Sequence, residues 1–97
     1  MRLDAVYRRD PDIVFRKISG ECILVPIRRR VGDLDNIYTL NETAARIWEL
    51  IDGRRTLAEI RDALAAEFAV PVQEAERDLL EYLAALRACA AVKEGPA

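Results

Sequence analysis

The spacing of apolar residues changes near position 41, and this change divides the chain into a strand-forming part and a helix-forming part. In the first part, blocks rich in apolar residues at Ile13–Ile18 and Glu21–Val25 flank the dipeptide Ser19-Gly20. β-branched and aromatic residues on both sides of a two-residue turn that contains glycine predict a β-hairpin. Pro26 has no amide hydrogen to donate to a sheet, so the second strand is expected to end there.

A third, short strand is predicted after a mostly charged stretch. Residues 28–35 are interpreted as a long loop, and the uncharged run at 36–40 that follows predicts a strand. It comes last in the predicted meander, so it is expected to lie at an edge of the sheet. An edge strand leaves main-chain donors and acceptors open, and proteins either cover them or use them to pair with a partner peptide. The pattern alone leaves both outcomes open.

From residue 41 onward, apolar residues recur at helical spacing. Asn41 and Glu42 suit the start of a helix, because an asparagine side chain accepts from the first free amides and a carboxylate is favourable at that end. Asp52-Gly53 predicts the end of this helix, since glycine readily takes the left-handed conformation. The apolar stripe of this first helix comprises Ala44, Ile47, Trp48 and Ile51.

Two further helices are predicted beyond it. Thr56 and Glu59 have capping-box spacing at the start of the second helix. Pro71 is suited to the start of the third, which should extend to about Cys89, and residues 93–97 are expected to be frayed. Their apolar stripes comprise Leu57, Ile60, Leu64 and Phe68 in the second helix and Ala75, Leu79, Leu83 and Leu86 in the third.

Three strands followed by three helices predict an α+β domain. The short connection between the second and third helices favours a helix-turn-helix arrangement, so a winged-helix-like assembly is expected: a three-stranded antiparallel sheet followed by three helices. With 97 residues, the chain is interpreted as a single domain over 1–97. No apolar run approaches the roughly 20 residues needed to span a bilayer, and no signal peptide is recognised, so a cytoplasmic protein is expected.

The residue inventory argues against catalysis. Histidine is absent, Cys22 and Cys89 form no CxxC pair, and the four glycines are isolated from one another. The usual general base, the usual metal ligand and a phosphate-cradling loop are therefore missing, and neither an enzyme nor a metal or other cofactor is expected. The carboxylates of the third helix are interpreted as a solvated face. They are Glu74, Glu76, Asp78 and Glu81.

A winged-helix DNA-binding regulator is the alternative function, and the triple arginine at 28–30 favours it. The charge distribution weakens it. Residues 1–35 carry eight basic and six acidic side chains, whereas residues 36–97 carry seven and eleven, and the whole chain has a net charge of -2. Phosphate contacts dominate DNA affinity, and an acidic third helix would repel them. No nucleic-acid or membrane partner is therefore expected.

Residues 40–60 carry a long and specific motif. They match the pattern LNxTAxxIWxLIDGxxTLxEI, and the similarity continues in Asp78-Leu79, Tyr82-Leu83 and Leu86. On this evidence the chain resembles the PqqD family, the small peptide chaperones of pyrroloquinoline quinone (PQQ) biosynthesis and the related leader-recognition domains of ribosomally made, post-translationally modified peptides. The resemblance covers about 12–92. Where relatives often end the last helix with Gly-Leu-Val, this sequence has Ala90-Ala91-Val92.

The resemblance implies a peptide chaperone without catalytic activity. In such domains the leader segment of a precursor peptide is held as an added strand on the third strand, against the third helix, and is presented to a modifying enzyme, often a radical SAM enzyme. The fold-forming residues of the motif would be Trp48, Asp52 and Gly53, and a monomer and a strand-swapped homodimer are both compatible with it. Carried over by position, the peptide-binding residues would be Asn36, Ile37, Tyr38, Thr39 and Leu40 on the strand and Asp78, Tyr82 and Ala85 on the helix.

Overall fold

The computed structural model of the chain describes residues 2–26 and 38–96, and within these ranges it contains five strands and three helices. The strands form two small antiparallel sheets, one of three strands and one of two. The elements in chain order are β1 (Tyr7–Arg9), β2 (Ile13–Ile18), β3 (Glu21–Pro26), β4 (Tyr38–Leu40), α1 (Glu42–Leu50), α2 (Leu57–Phe68), α3 (Val72–Ala88) and β5 (Val92–Glu94).

The predicted hairpin and its third strand form the larger sheet, in the order β2-β3-β4. Ser19 and Gly20 form the two-residue turn with φ of 51° and 83°. A turn with positive φ at both central residues has a backbone twist that matches the right-handed twist of the flanking strands. β4 corresponds to the last three residues of the predicted third strand, and it pairs with β3 through Cys22 opposite Leu40.

The predicted helix starts are confirmed, and at the starts of α1 and α2 a cap side chain accepts from a free amide. The Asn41 side chain accepts a hydrogen bond from the Ala44 amide at 2.8 Å at the start of α1. Thr56 and Glu59 form the full capping box of α2, with each side chain accepting from the other residue's amide. α3 begins directly after Pro71 and ends one residue before Cys89.

The core lies among the three helices and receives buried side chains from both sheets. Trp48 is its largest fully buried side chain, with 1% exposure, and the Arg9 guanidinium lies over its ring at 5.8 Å from the centroid. Asp52 accepts hydrogen bonds from the amides of Arg54 and Arg55, which orders the connection between α1 and α2. These positions agree with the fold-forming roles expected for the motif residues.

The smaller sheet, which joins the two ends of the described chain, was not predicted. β1 pairs antiparallel with β5, and the Gly95 amide donates to the Val6 carbonyl oxygen at 2.7 Å. The expectation that residues 93–97 are frayed is therefore wrong for Lys93 and Glu94, which lie in β5. A three-residue strand is too short to show a periodicity, and its partner lies at the opposite end of the sequence.

The N-terminal segment is also tied to the connection between α1 and α2. The Gly53 amide donates to the Tyr7 carbonyl oxygen at 2.9 Å, and the Leu57 amide donates to the Ala5 carbonyl oxygen at 3.0 Å. Gly53 has φ of 79°, a conformation that costs an L-residue about 1 to 2 kcal/mol. This glycine therefore ends the turn after α1 and also contacts the N-terminal segment through its amide.

Candidate binding groove

β4 is an edge strand of the larger sheet. One side of it pairs with β3, and within residues 2–26 and 38–96 no strand pairs with its other side. The chain passes from Leu40 through Asn41 directly into α1, so the C-terminal end of β4 lies at the start of that helix. An edge of this kind presents unpaired main-chain donors and acceptors to a neighbouring segment.

A groove between α1 and α3 opens beside this end of β4. Its volume is about 390 Å³, and it has both polar and apolar walls. We refer to it as the α1–α3 groove. The residues that line it are Asn41, Thr43, Ala44 and Ile47 from the start of α1 and Asp78, Glu81, Tyr82 and Ala85 from α3.

The structure brings the three predicted helix residues together. Asp78, Tyr82 and Ala85 all line the α1–α3 groove, because residues spaced by four and three positions lie on one face of a helix. Glu81 lies on the same face and was missed as a site residue, although its spacing of three from Asp78 would have found it. The residues from α1 were also missed, since only packing brings that helix against α3.

The predicted strand residues are placed less completely. Asn36 and Ile37 lie outside the described residues. Tyr38 and Thr39 belong to β4, and their main chains follow its edge. Leu40 is buried with 7% exposure and packs into the core, so its side chain is not available to a peptide at the edge.

Tyr82 lies at the boundary between the groove and the core. Its side chain lines the groove and also packs against the buried core residues. Its hydroxyl group is buried, and none of the described residues forms a hydrogen bond with it. Burial raises the pKa of this phenol well above its usual value, and nearby Cys89 raises it further. Tyr82 therefore contributes a neutral aromatic surface to the groove.

Replacing Tyr82 by phenylalanine is expected to leave the protein at least as stable as the parent. A buried hydroxyl without a partner carries a desolvation penalty, so its removal should stabilise the fold by up to about 1 kcal/mol. Urea denaturation followed by circular dichroism measures this change. A loss of more than about 1 kcal/mol would show that the hydroxyl is hydrogen-bonded in solution.

The four carboxylates that the sequence placed on one solvated face of the third helix separate into two pairs. Glu76 forms a salt bridge with Arg61 at 3.1 Å, and Glu74 lies 3.8 Å from Arg77. Asp78 and Glu81 instead line the α1–α3 groove. All four carboxylates are exposed or partly exposed, as a solvated face requires, but Asp78 and Glu81 also form part of the groove wall, which the sequence did not predict for Glu81.

A second cavity of about 570 Å³ lies between the larger sheet and the helices α1 and α2. Phe15 and Phe68 contribute aromatic surface to it, and Leu40 reaches it from β4. At its rim, the Arg46 guanidinium holds the Glu67 carboxylate with two hydrogen bonds of 2.7 and 3.1 Å. This cavity contains none of the α3 residues that the family resemblance places at the binding site.

Residues 2–26 and 38–96 contain neither a metal-binding cluster nor a membrane-spanning helix. Over these ranges, no group of three or more acidic or cysteine side chains is arranged to hold a metal ion. No helix in the same ranges is both long and apolar enough to cross a membrane.

Together, the fold and the groove define a winged-helix-like α+β binding domain, with an open strand edge beside a groove. Comparison with protein families gives the particular family. The family model for Coenzyme PQQ synthesis protein D (PqqD) matches residues 21–92. The chain therefore belongs to the PqqD family, as its motif predicted. Among curated protein sequences, no significant match was found.

Two solved structures resemble the whole domain. One is TbiB1 in complex with the TbiA(beta) leader peptide. Its sequence is 28% identical to this chain and the TM-score is 0.71; the alignment covers 89% of this chain and 94% of the TbiB1 chain. The other is lasso peptide synthetase B1 complexed with the leader peptide. Its sequence is 24% identical to this chain and the TM-score is 0.73; the alignment covers 90% of this chain and 96% of the synthetase chain. The second match supports the fold.

Proposed function

We propose that this chain binds the leader segment of a ribosomally made precursor peptide as a strand added to β4, and that it presents the peptide to a modifying enzyme. The observation that carries the proposal is the open edge of β4 beside the α1–α3 groove. Membership of the PqqD family and the similarity to TbiB1, whose structure contains a leader peptide, support it. The chain then acts as a recognition element for this class of peptides.

Strand addition divides the work between the main chain and the groove. The open donors and acceptors of β4 bind the peptide main chain and so provide affinity that depends little on its sequence. Alternate side chains of an added strand point to the same face, so every second side chain of the peptide can enter the groove beside Tyr82 and Ala85. The groove therefore provides the sequence specificity.

The chain's contribution to the reaction is to raise the local concentration of the precursor at its enzyme. A peptide held by its leader meets the enzyme in an effectively intramolecular step. This increases the fraction of enzyme active sites occupied by the precursor and requires no catalytic group on this chain. The proposed partner is a modifying enzyme of the radical SAM class, and the proposed role of this domain, with its core at about 12–92, is non-catalytic.

The DNA-binding alternative is not favoured. α3 would be the recognition helix, and Asp78 and Glu81 add negative charge to its groove face. Such a face repels phosphates. The arginines at 28–30 lie outside the described residues.

Titration of the purified chain with the synthetic leader of the precursor encoded beside it tests the proposal. The leader is expected to bind, and methylation of single amide nitrogens along the peptide should weaken binding at every second position. A main-chain amide that points toward β4 loses its hydrogen bond on methylation, whereas its neighbours point away. The matched control is a peptide with the same composition in scrambled order. Equal binding of all methylated peptides would contradict strand addition, and equal binding of the scrambled peptide would contradict leader recognition.

A further inference from the structure

Among the described residues that line it, the α1–α3 groove combines apolar surface with negative charge and no positive charge. Asp78 and Glu81 are the two charged residues among those that line it, and the other six are uncharged. Ala44, Ile47 and Ala85 contribute aliphatic surface, and Tyr82 contributes its ring. A partner that fits both parts needs an apolar portion that ends in a positive charge.

The two groove carboxylates remain largely uncompensated by the protein. Across the described part of the chain, Glu81 has no salt-bridge partner, and Asp78 has one contact at the limit of a salt bridge, 4.0 Å from the Arg77 guanidinium. That arginine side chain is 64% exposed, so water screens most of its attraction. By contrast, Glu76 outside the groove is held by Arg61 at 3.1 Å.

The start of α1, which faces the same groove, does not cancel this charge. The amide of Ala44 is already bound by the Asn41 side chain, and Glu42 places a carboxylate in the first turn. The positive end of the helix dipole is therefore partly neutralised before a ligand arrives. Among the described residues that line the groove, Asp78 and Glu81 are therefore the ones that set the charge.

Resting on the proposed function, we infer that Asp78 and Glu81 make the groove specific for a leader segment that carries a lysine or arginine beside its apolar anchor. Lysine and arginine have long aliphatic stems that pack along apolar surface while the charged end reaches a polar rim. In the groove, the stem packs on Tyr82 and Ala85 and the cation lies at the two carboxylates. The same carboxylates reject leaders with an acidic residue at that position, through like-charge repulsion.

The test uses the synthetic leader of the precursor encoded beside this chain and the same peptide with each lysine and arginine replaced by glutamine in turn. Binding is measured by fluorescence anisotropy to the parent and to the double variant Asp78→Asn/Glu81→Gln. The matched control is Asp62→Asn/Glu74→Gln, which removes the same charge from residues that do not line the groove. A second double variant, Asp78→Lys/Glu81→Lys, reverses the charge of the groove.

At low salt, the groove variant is expected to bind the native leader about fivefold more weakly than the parent, as two solvent-exposed ion pairs would give. Replacing the one critical basic residue of the leader should cause the same loss, and combining both changes should cause no further loss. Raising the ionic strength to about 1 M should shrink the difference, because it shortens the screening length to about 3 Å. The charge-reversed variant should prefer a leader in which that basic residue is replaced by glutamate.

Three results would overturn the inference alone: a native leader that binds without containing lysine or arginine, a groove variant that binds like the parent, and a control variant that loses as much affinity as the groove variant. Each of them leaves leader binding itself intact. Failure of the parent to bind the native leader would instead overturn the proposed function, and the inference with it.

Discussion

Replacing Trp48 by alanine is expected to destabilise the domain by about 3 to 5 kcal/mol, which is a large part of the stability of a typical small domain. The indole is 1% exposed and is the largest fully buried side chain, so its removal leaves a cavity that neighbouring side chains fill only partly. Trp48 is the single tryptophan, so unfolding of the variant must be followed by circular dichroism rather than by tryptophan fluorescence.

Two controls define the origin of that effect. Trp48→Phe keeps most of the apolar surface and should lose clearly less stability than the alanine variant. Arg9→Ala removes only the guanidinium that lies over the ring at 5.8 Å, and it should cost about 1 kcal/mol or less. A Trp48→Ala protein that unfolds at the parent's urea concentration but no longer binds the leader would instead make Trp48 a binding residue.

Replacing Ala85 by tryptophan is expected to weaken leader binding by about a hundredfold while leaving the fold intact. Ala85 is exposed and lines the α1–α3 groove, so a large ring at this position fills space that the peptide needs without entering the core. Loss of a central anchor contact commonly changes a binding free energy by 2 kcal/mol or more, and a hundredfold change corresponds to about 2.8 kcal/mol. Calorimetric titration with the synthetic leader measures the change.

The chain offers a matched control at the preceding position. Ala84 is also exposed on α3 but does not line the groove, so Ala84→Trp should bind like the parent. Thermal unfolding of both variants checks that each remains folded. Equal binding by the two tryptophan variants would place the site outside the groove, and an equal loss in both would point to a general effect of the added ring.

The part of the candidate site that lies on a single helix could be predicted from the sequence, and the part that depends on the packing of two helices could not. Asp78, Tyr82 and Ala85 share one helix face, and helical periodicity with the family motif was sufficient to select them. The contribution of α1 to the same groove was not predictable, because the distance between two helices depends on how their side chains pack. The unpartnered hydroxyl of Tyr82 likewise depends on which atoms surround it in the folded chain.

The sequence by itself determined the elements whose signals are contained in a few neighbouring residues. Ser19-Gly20 defined the hairpin, Asn41 and Thr56 defined two helix starts, and all three features lie where they were predicted. Each works because turn and cap hydrogen bonds join residues two to four positions apart. Such bonds form in the same way wherever the segment lies in the fold.

Only the tertiary structure decided the features that join distant parts of the chain. The pairing of β1 with β5 brings the first and last described strands together, and the approach of α1 to α3 forms the groove. The tertiary structure also placed Asp78 and Glu81 in the lining of the groove, whereas Glu74 and Glu76 do not line it. The physical reason is that these contacts depend on the packing of the whole core, and no short stretch of sequence contains that information.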